Sequence, residues 1–585
     1  MCGIFAFIAR YLRYNQAMYI DIVPNRKSRP AILLRESVRE GKRIVKRTIA
    51  NLSALSREQA EAIRAVLKGE PLAPVDALFE IVRSRTHGAV QAIGLAMKRL
   101  HIGPLLDAKP SRERDLVLAM IAARVLDPQS KLATSRSWQH STLGEWFGVA
   151  DADENELYAA LDWLLERQDA IERRLAQRHL SEGGRVLYDL SSSYMEGSAC
   201  PLAQRGYSRD GKKGKLQVNY GLLTDARGCP VSLSVFAGNT ADPETLLEQV
   251  DTLQGRFALE SVIVVGDRGM ISQKQIEALN ARTGVDWITA LKSGAIRKLV
   301  DAGAIQMDLF DERNLFELSD PAFPGERLIV CRNPSLATLR AEKRRSLLAA
   351  TTRELETVQR MVANGRLKDA DKIGVRVGKV VNKYKMSKHM ELDIQDGHFS
   401  FQINAAKVAE EAALDGLYVI RTALPRERLS TDDAVRHYKS LSQVEAAFRS
   451  LKSDDLKIRP IYHRTEDRVR AHLFLCMLAY YVKWHMSEAW RDLLFADADQ
   501  ERRAEADPVA AATRSDAALE KIAAKVLDDG SPAHSFRTLL NELSTIVRNT
   551  CRRPDADATE QTFEIDTTPN AKQRQALDRI NAIRL

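Results

Sequence analysis

Cysteine is scarce in this chain. Its 585 residues hold six, Cys2, Cys200, Cys229, Cys331, Cys476 and Cys551, none in a CxxC pair or at a Cys/His ligand spacing. That argues against a disulfide framework and against structural zinc, and it fits a reducing cytoplasm. Long apolar runs are missing as well: no stretch reaches the ~20 residues of a membrane span, so no membrane association is expected. The opening MCGIFAFIARYLRYNQA has a short apolar run, but no charge precedes it and no A-x-A site follows, so it makes a poor signal peptide. Met18 offers a start of its own, and residues 1–17 are expected to be an extension from a misassigned start codon. No internal repeat is present.

What is there is a 45% hydrophobic chain, enough for a substantial core and two to four domains. The net charge is +9, and nucleic acid is the commonest partner of a basic protein of this size.

Residues 31–38 and 43–49 are apolar-rich runs around Glu40-Gly41-Lys42, a β-hairpin signal. The segment from 26 to 47 is dense in Lys and Arg. It reads equally as a phosphate-contacting module or as a solvated basic edge. From 56 to about 180 the pattern is helical, with long amphipathic segments at 112–126 and 154–180 and with Trp138, Trp146 and Trp163 expected in its core. Residues 132–149 could form a helix-turn-helix unit.

The pattern then changes. RVLYDL (185–190), LQVNYGLLT (216–224) and PVSLSVF (230–236) are strands with short connections, an antiparallel meander. A helix follows over 243–253. SVIVVG (261–266) is a continuous apolar run, as for a strand buried on both faces of a parallel sheet. Ser272 and Gln275 form a capping box that opens a helix to Ala281, and DWITAL (286–291) is another strand. The order β-β-β-α-β-α-β matches a ribonuclease H-like α/β core. Sites in open α/β sheets lie beyond strand carboxyl ends, where Asp267 stands and near which Asp189 falls. Residues 295–425 read as a mostly β insertion, with Asp396-Gly397 turning a hairpin. The core resumes at 426–492, whose 471–490 is an apolar helix in which Tyr, Trp and Met recur. Residues 493–585 read as a linker followed by helices at 536–547 and 571–583. The expected division is thus 1–17, an N-terminal DNA-binding region at 18–180, a first core part at 181–294, the insertion, a second core part at 426–492, and 493–585.

The centre of this scheme is TDDAVRHYKSLSQVEAAFRSLK (431–452), read as one helix that Asp432 or Asp433 can cap. Tyr438, Glu445 and Lys452 stand seven residues apart, drift only ~20° per step and share one face. By itself this reads equally as an ordinary amphipathic helix. An Asp at a strand end is likewise more often a turn former than a catalyst.

Taken together, LYDLSSSYMEG, GYSRDGKKGKLQVNYGLLTDARGCPV, VVGDRGMIS and YKSLSQVEAAFRSLK resemble the DDE transposases of bacterial insertion sequences, more narrowly insertion-sequence family four and its relatives. That family carries Tyr-x2-Arg-x3-Glu-x6-Lys. Tyr438, Glu445 and Lys452 match; Leu441 stands where the family has Arg, and Arg449 could supply a cation instead.

The resemblance implies Asp189, Asp267 and Glu445 as catalytic and metal-binding residues. They would hold two Mg²⁺ ions, with Mn²⁺ able to substitute and no organic cofactor needed. It also implies double-stranded DNA partners, the terminal inverted repeats and the target, engaged by a homodimer on paired ends in the bacterial cytoplasm. Tyr438, Lys452 and Arg449 are candidates for phosphate contact, as are Arg268 and, on the basic glycine-rich loop 206–215, Arg209, Lys212, Lys213 and Lys215. Trp287 is expected in the core. Two other functions fit the same residues: a catalytically silent DNA-binding protein derived from a transposase, or a ribonuclease H-like nuclease without strand transfer.

Overall fold

A computed structural model describes residues 18–25, 29–70, 79–306, 310, 314–453, 455–499, 502, 506–510, 512–553 and 562–585. The expectation about residues 1–17 lies outside the described residues, as does the start of the basic stretch at 26–28. The chain divides into two units, Met1–Ser84 with Asn549–Ile565, and Arg85–Arg548 with Asp566–Leu585. The expected boundary at residue 180 is therefore corrected. Helices from residue 88 onward share one apolar core with the large sheet, because their buried faces are too extensive to be covered within 18–180.

In the first unit, β1 (Met18–Val23), β2 (Ala31–Glu40) and β3 (Arg43–Asn51) form an antiparallel sheet. The expected hairpin is β2–β3, and Gly41 takes the positive φ of 63° that its tight turn needs. Helix α1 (Arg57–Leu67) begins at a capping box between Ser56 and Gln59, and Ala60 packs on Ile20 and Ile32. β4 (Glu80–Thr86) is a strand within a stretch expected to be helical.

The second unit starts with α2 (Gly88–Arg99), α3 (Arg112–Leu126), α4 (Glu154–Glu166) and α5 (Gln168–His179). The single helix expected over 154–180 breaks at Arg167, whose guanidinium stacks over Trp163. Trp138 is buried as expected, whereas Trp146 keeps 39% of its surface exposed. Residues 132–149 form helical pieces of seven, three and four residues, too short for a recognition helix.

The large sheet contains β5 (Gly184–Tyr194), β6 (Gln217–Asp225), β7 (Pro230–Ala237), β8 (Val262–Val265), β9 (Val285–Ala290), β10 (Leu315–Leu318), β11 (Arg327–Arg332) and, after three helices and a hairpin, β14 (Leu417–Thr422). Between β7 and β8 lies α6 (Asp242–Asp251), and between β8 and β9 lies α7 (Gln273–Asn280). The strand order is β10-β11-β14-β9-β8-β5-β6-β7. β5, β8 and β9 run parallel, and the remaining neighbours pair antiparallel. All four residues of β8 are buried, which is why its sequence, VIVV, does not alternate.

The segment 295–425 differs from the mostly β insertion expected. β10, β11 and β14 extend the large sheet. The part that leaves it is chiefly α8 (Pro334–Ala363) and α9 (Ala370–Tyr384), with the hairpin β12 (Met390–Gln395) and β13 (His398–Ile403). The hairpin turns at Asp396-Gly397 as read, with Gly397 at φ 70°. Leu355, Val358, Ile373, Val377 and Phe399 give this part a core of its own. Two short apolar hairpin strands cannot bury a face alone, and two amphipathic helices supply the cover.

The segment 431–452 is two helices, α10 (Thr431–Lys439) and α11 (Leu441–Lys452). Ser440 marks the break; its hydroxyl donates to the His437 carbonyl at 2.6 Å, in competition with the helical ladder. The N-cap is Ser430, whose hydroxyl accepts from the Asp433 amide, rather than Asp432 or Asp433. α12 (Glu466–Ala489) is buried along most of its length and packs on β7, α3 and α4. Near the C-terminus, α13 (Phe536–Leu543) ends earlier than read, and Val547 opens a strand. β15 (Val547–Arg552) and β16 (Phe563–Asp566) join a small sheet in the order β16-β15-β4. α14 (Ala571–Asn581) is the expected terminal helix.

Candidate active site

β5 and β8 pair in parallel from Gly184↔Val262 to Leu187↔Val265. Asp189 and Asp267 each lie two residues beyond that last rung. Asp267 lies past the end of β8, so the register brings the two level at the mouth of neighbouring strands ~4.8 Å apart, and both line the cavity below. Asp189 is mid-strand, not near the strand's end as read, because β5 runs on to Tyr194 beside β6. The crevice opens there because β8 stops. α11 packs across β5 beyond the stop, seating Val444, Ala447, Phe448 and Leu451 in the core and leaving Glu445 exposed. Asp189, Asp267 and Glu445 line one cavity of about 1060 Å³.

Backbone groups orient both aspartates. Asp189 Oδ1 accepts the Leu190 amide at 2.8 Å, and Asp267 Oδ1 accepts those of Gly269 at 2.9 Å and Met270 at 2.7 Å. Burial pushes the Asp189 carboxyl up to about 7, and the charges of Asp267 and Glu445 push the same way, against the Leu190 amide and the Arg209 guanidinium. Three carboxylates thus face one space, with Arg209, Arg449, Lys452, Arg459 and Lys483 also in its lining. Their hard oxygens suit Mg²⁺, with no thiol or imidazole among them. Their donor atoms do not all lie within 4.8 Å of one another. Among the described residues the one such group within 4.8 Å is His179, Cys229 and His485, a buried cluster away from this cavity. Sequence spacing had given no sign of it, because its members come from α5, the β6–β7 turn and α12.

The break at Ser440 does not part Tyr438 from the acids. Burial pushes the Tyr438 phenol up to about 12, and the charges of Asp267 and Glu445 add to it. Leu441 opens α11 and packs on the core, while Arg449 is exposed and lines the cavity. Lys452 lines it too, but its side chain is only 11% exposed and lies 3.1 Å from Asp210 Oδ1. Arg209 is in the cavity, ion-paired with Asp242. Lys212, Lys213 and Lys215 are exposed on their loop outside the cavity lining, with Lys215 held 2.9 Å from Glu196. Arg268 faces a neighbouring cavity beside Arg297 and Lys343. Trp287 is fully buried, as expected.

Sequence reasoning missed Asp210. It is the lone acid of the loop read as a basic DNA cradle. Its side chain is fully buried, accepts the Tyr194 amide at 3.1 Å, and pairs with Lys452 and Arg459. With the Arg209 amide on Ser192 Oγ at 3.0 Å, this pins the loop to the far half of β5. A single acid among four cations and three glycines was the available signal.

The profile of the family described as "Transposase DDE domain" matches residues 186–482, just over half of the chain. The chain belongs to that family. The profile described as "IS1634 family transposase, N-terminal domain" matches residues 20–73, which span β1 to α1. The chain is therefore a DDE transposase of a bacterial insertion sequence, and its family cleaves and joins DNA with divalent metal. No curated protein matches the transposase. Among solved structures, a piggyBac transposase synaptic complex with hairpin DNA aligns at 7% identity and a TM-score of 0.35, over 78% of this chain and 79% of that one.

Proposed function

We propose that Asp189, Asp267 and Glu445 are the catalytic triad of this transposase. They sit in a ribonuclease H-like core that the segment between β11 and β14 interrupts, and they hold two Mg²⁺ ions. The observation that carries the reading is the register. Two aspartates stand level beyond the last shared rung of parallel strands, and a glutamate arrives on a helix packed over the same opening. Asp189, Asp267 and Glu445 are the residues that would hold these ions. When bound, such ions neutralise charge on the attacking and leaving oxygens of an in-line phosphoryl displacement.

The chain's own residues do the rest. Backbone amides hold Oδ1 of each aspartate and so fix the carboxylate planes. Arg449 and Arg209 stand at the cavity to meet phosphate oxygens, and Tyr438 borders the acids. Lys452 acts through Asp210, holding the loop that carries Arg209 against β5. The partners are the element's terminal inverted repeats and target DNA, engaged by two copies on paired ends, with β1–β3 and α1 forming an end-binding module.

The test is cleavage of DNA from the borders of the element, with Mg²⁺, Mn²⁺ or EDTA, resolved on native and denaturing gels. Metal-dependent nicks at the border, followed by joined or hairpin products, are expected. Metal-dependent cutting without joining would make it a nuclease. Tight end binding with no cutting in either metal would make it the silent relative.

A further inference from the structure

A second cavity, of about 870 Å³, lies where α3, α4, α12 and the segment after α11 meet. Its lining carries six cations, Arg124, Lys131, Lys457, Arg459, Arg464 and Arg468, against two carboxylates, Asp162 and Asp467. Arg468 is committed to Asp162 at 2.6 and 2.9 Å, and Arg459 to Asp210. The others face an excess of their own sign. Lys131 and Arg124 are 5% and 7% exposed, and among the described residues neither has a carboxylate partner. Arg124 reaches only the Leu456 carbonyl, at 3.5 Å. Burying two unpaired cations side by side is costly unless an anion joins them.

The rest of the lining reports the same field. Burial, and then the Arg124 charge, bring the Lys131 ammonium down to about 7. His463 is brought down to about 3 by burial, with Lys131, Arg124 and Arg468 adding to it. The cavity also joins the catalytic one. Arg459 lines both, and the segment it opens is hydrogen-bonded to the end of β5, the Glu196 amide donating to the Ile461 carbonyl at 2.9 Å and the Ile461 amide to that of Tyr194 at 3.2 Å.

We propose that this cavity is a phosphate-binding pocket, in which Lys131, Arg124 and Arg464 hold a backbone phosphate of the DNA strand that passes through the catalytic cavity by way of Arg459. The assignment of the strand rests on the proposed function above. The pocket itself rests on the trapped cations.

The experiment uses full-length protein carrying Asp189→Asn, so that binding is read without cutting. Border DNA is titrated by fluorescence anisotropy between 50 and 300 mM salt, with and without Lys131→Met. Inorganic phosphate is then added to each protein in a thermal-unfolding series. The expected result is an affinity about tenfold lower for Lys131→Met at ~150 mM salt, with the slope of log K against log salt shallower by about one. Phosphate should raise the unfolding temperature only where Lys131 is present. Unchanged affinity and slope would overturn the pocket, and if the parent protein still cuts border DNA the triad stands without it. Phosphate stabilisation through Lys131 in a protein that binds no border DNA would overturn the assignment to a DNA strand. Should Lys131→Met fail to fold, Arg464→Ala carries the same test, since Arg464 is exposed at the rim: a slope shallower by about one supports the pocket, and an unchanged slope overturns it.

Discussion

The two cavities that share Arg459 differ in charge. One gathers Asp189, Asp267 and Glu445, with Arg209, Arg449, Lys452, Arg459 and Lys483 also in its lining; the other gathers Lys131 and Arg124, neither of them ion-paired among the described residues, with Asp162 and Asp467 as its two carboxylates. Elsewhere the same chain buries charge with care. Arg421 and Glu326, 7% and 5% exposed, form a paired bridge that also contacts Gln273. Glu172, with no exposed side-chain surface, is met by Arg256, Ser232, Gln168 and the Leu233 amide. Balanced burial holds a fold together. Unbalanced burial of either sign costs stability, and here it falls on Asp189 at one opening and on Lys131 and Arg124 at the adjoining one, where a cation and a phosphate would each supply the missing charge.

The sharpest way to break the comparison is at the acids. Asp189→Asn, Asp267→Asn and Glu445→Gln should each lower border cleavage by on the order of 10²–10³ or more. Binding should stay within a few-fold. A single-turnover gel assay beside anisotropy measures both, and a variant that still cuts removes that residue from the triad. Next comes the balanced pair. Arg421→Met strands Glu326 and should cost about 3–5 kcal/mol in denaturant unfolding; a loss below ~1 kcal/mol would mean the pair is no more balanced than Lys131.

Lys131 should behave in the opposite way. Its folded-state ammonium is held near 7, below its unfolded value of 10.5, so the folded state binds fewer protons between those limits. Stability attributable to Lys131 is therefore lowest below about pH 7 and recovers as pH rises toward 10.5. Burial brings His463 and His472 facing it down, so both are already neutral in that window, and burial pushes the Cys476 thiol up. Lys131→Met should be the more stable protein at pH 6.5, by on the order of a few kcal/mol, and lose that lead by pH 10. Parallel unfolding curves at the two pH values, with a constant difference, would contradict it. The smallest effect belongs to the loop. Lys213→Ala should weaken border binding a few-fold and flatten the salt slope by about one. Lys215→Ala should change stability by less than ~1 kcal/mol, because its pair with Glu196 is exposed.

Much of the site was legible before any fold was known. β5 to β9 and the helices between them follow from runs of apolar residues and turn dipeptides, which are local signals. VIVV has to be buried wherever it lies, and Asp-Gly has to turn. The three acids were singled out by the resemblance, and the structure brings them to one cavity. The break at Ser440 was not legible, since a helix period passes through it and only one hydroxyl at the His437 carbonyl marks it. The helices over 334–384 were subsumed in an insertion read as mostly β, whose strands β10, β11 and β14 in fact belong to the large sheet.

Asp210 shows the limit most plainly. In sequence it is one acid in a basic glycine-rich loop. In the structure it is fully buried and holds Lys452 and Arg459, residues more than two hundred positions away. The basic cavity and the cluster of His179, Cys229 and His485 are assembled the same way, from distant segments. Sequence alone determined most of the core elements and the sign of the net charge, because periodicity and turn chemistry act between near neighbours and net charge needs no fold. Tertiary structure decided which charges are balanced and which are left facing a cavity, because that depends on how far each side chain is withdrawn from water and on what the remote chain brings beside it.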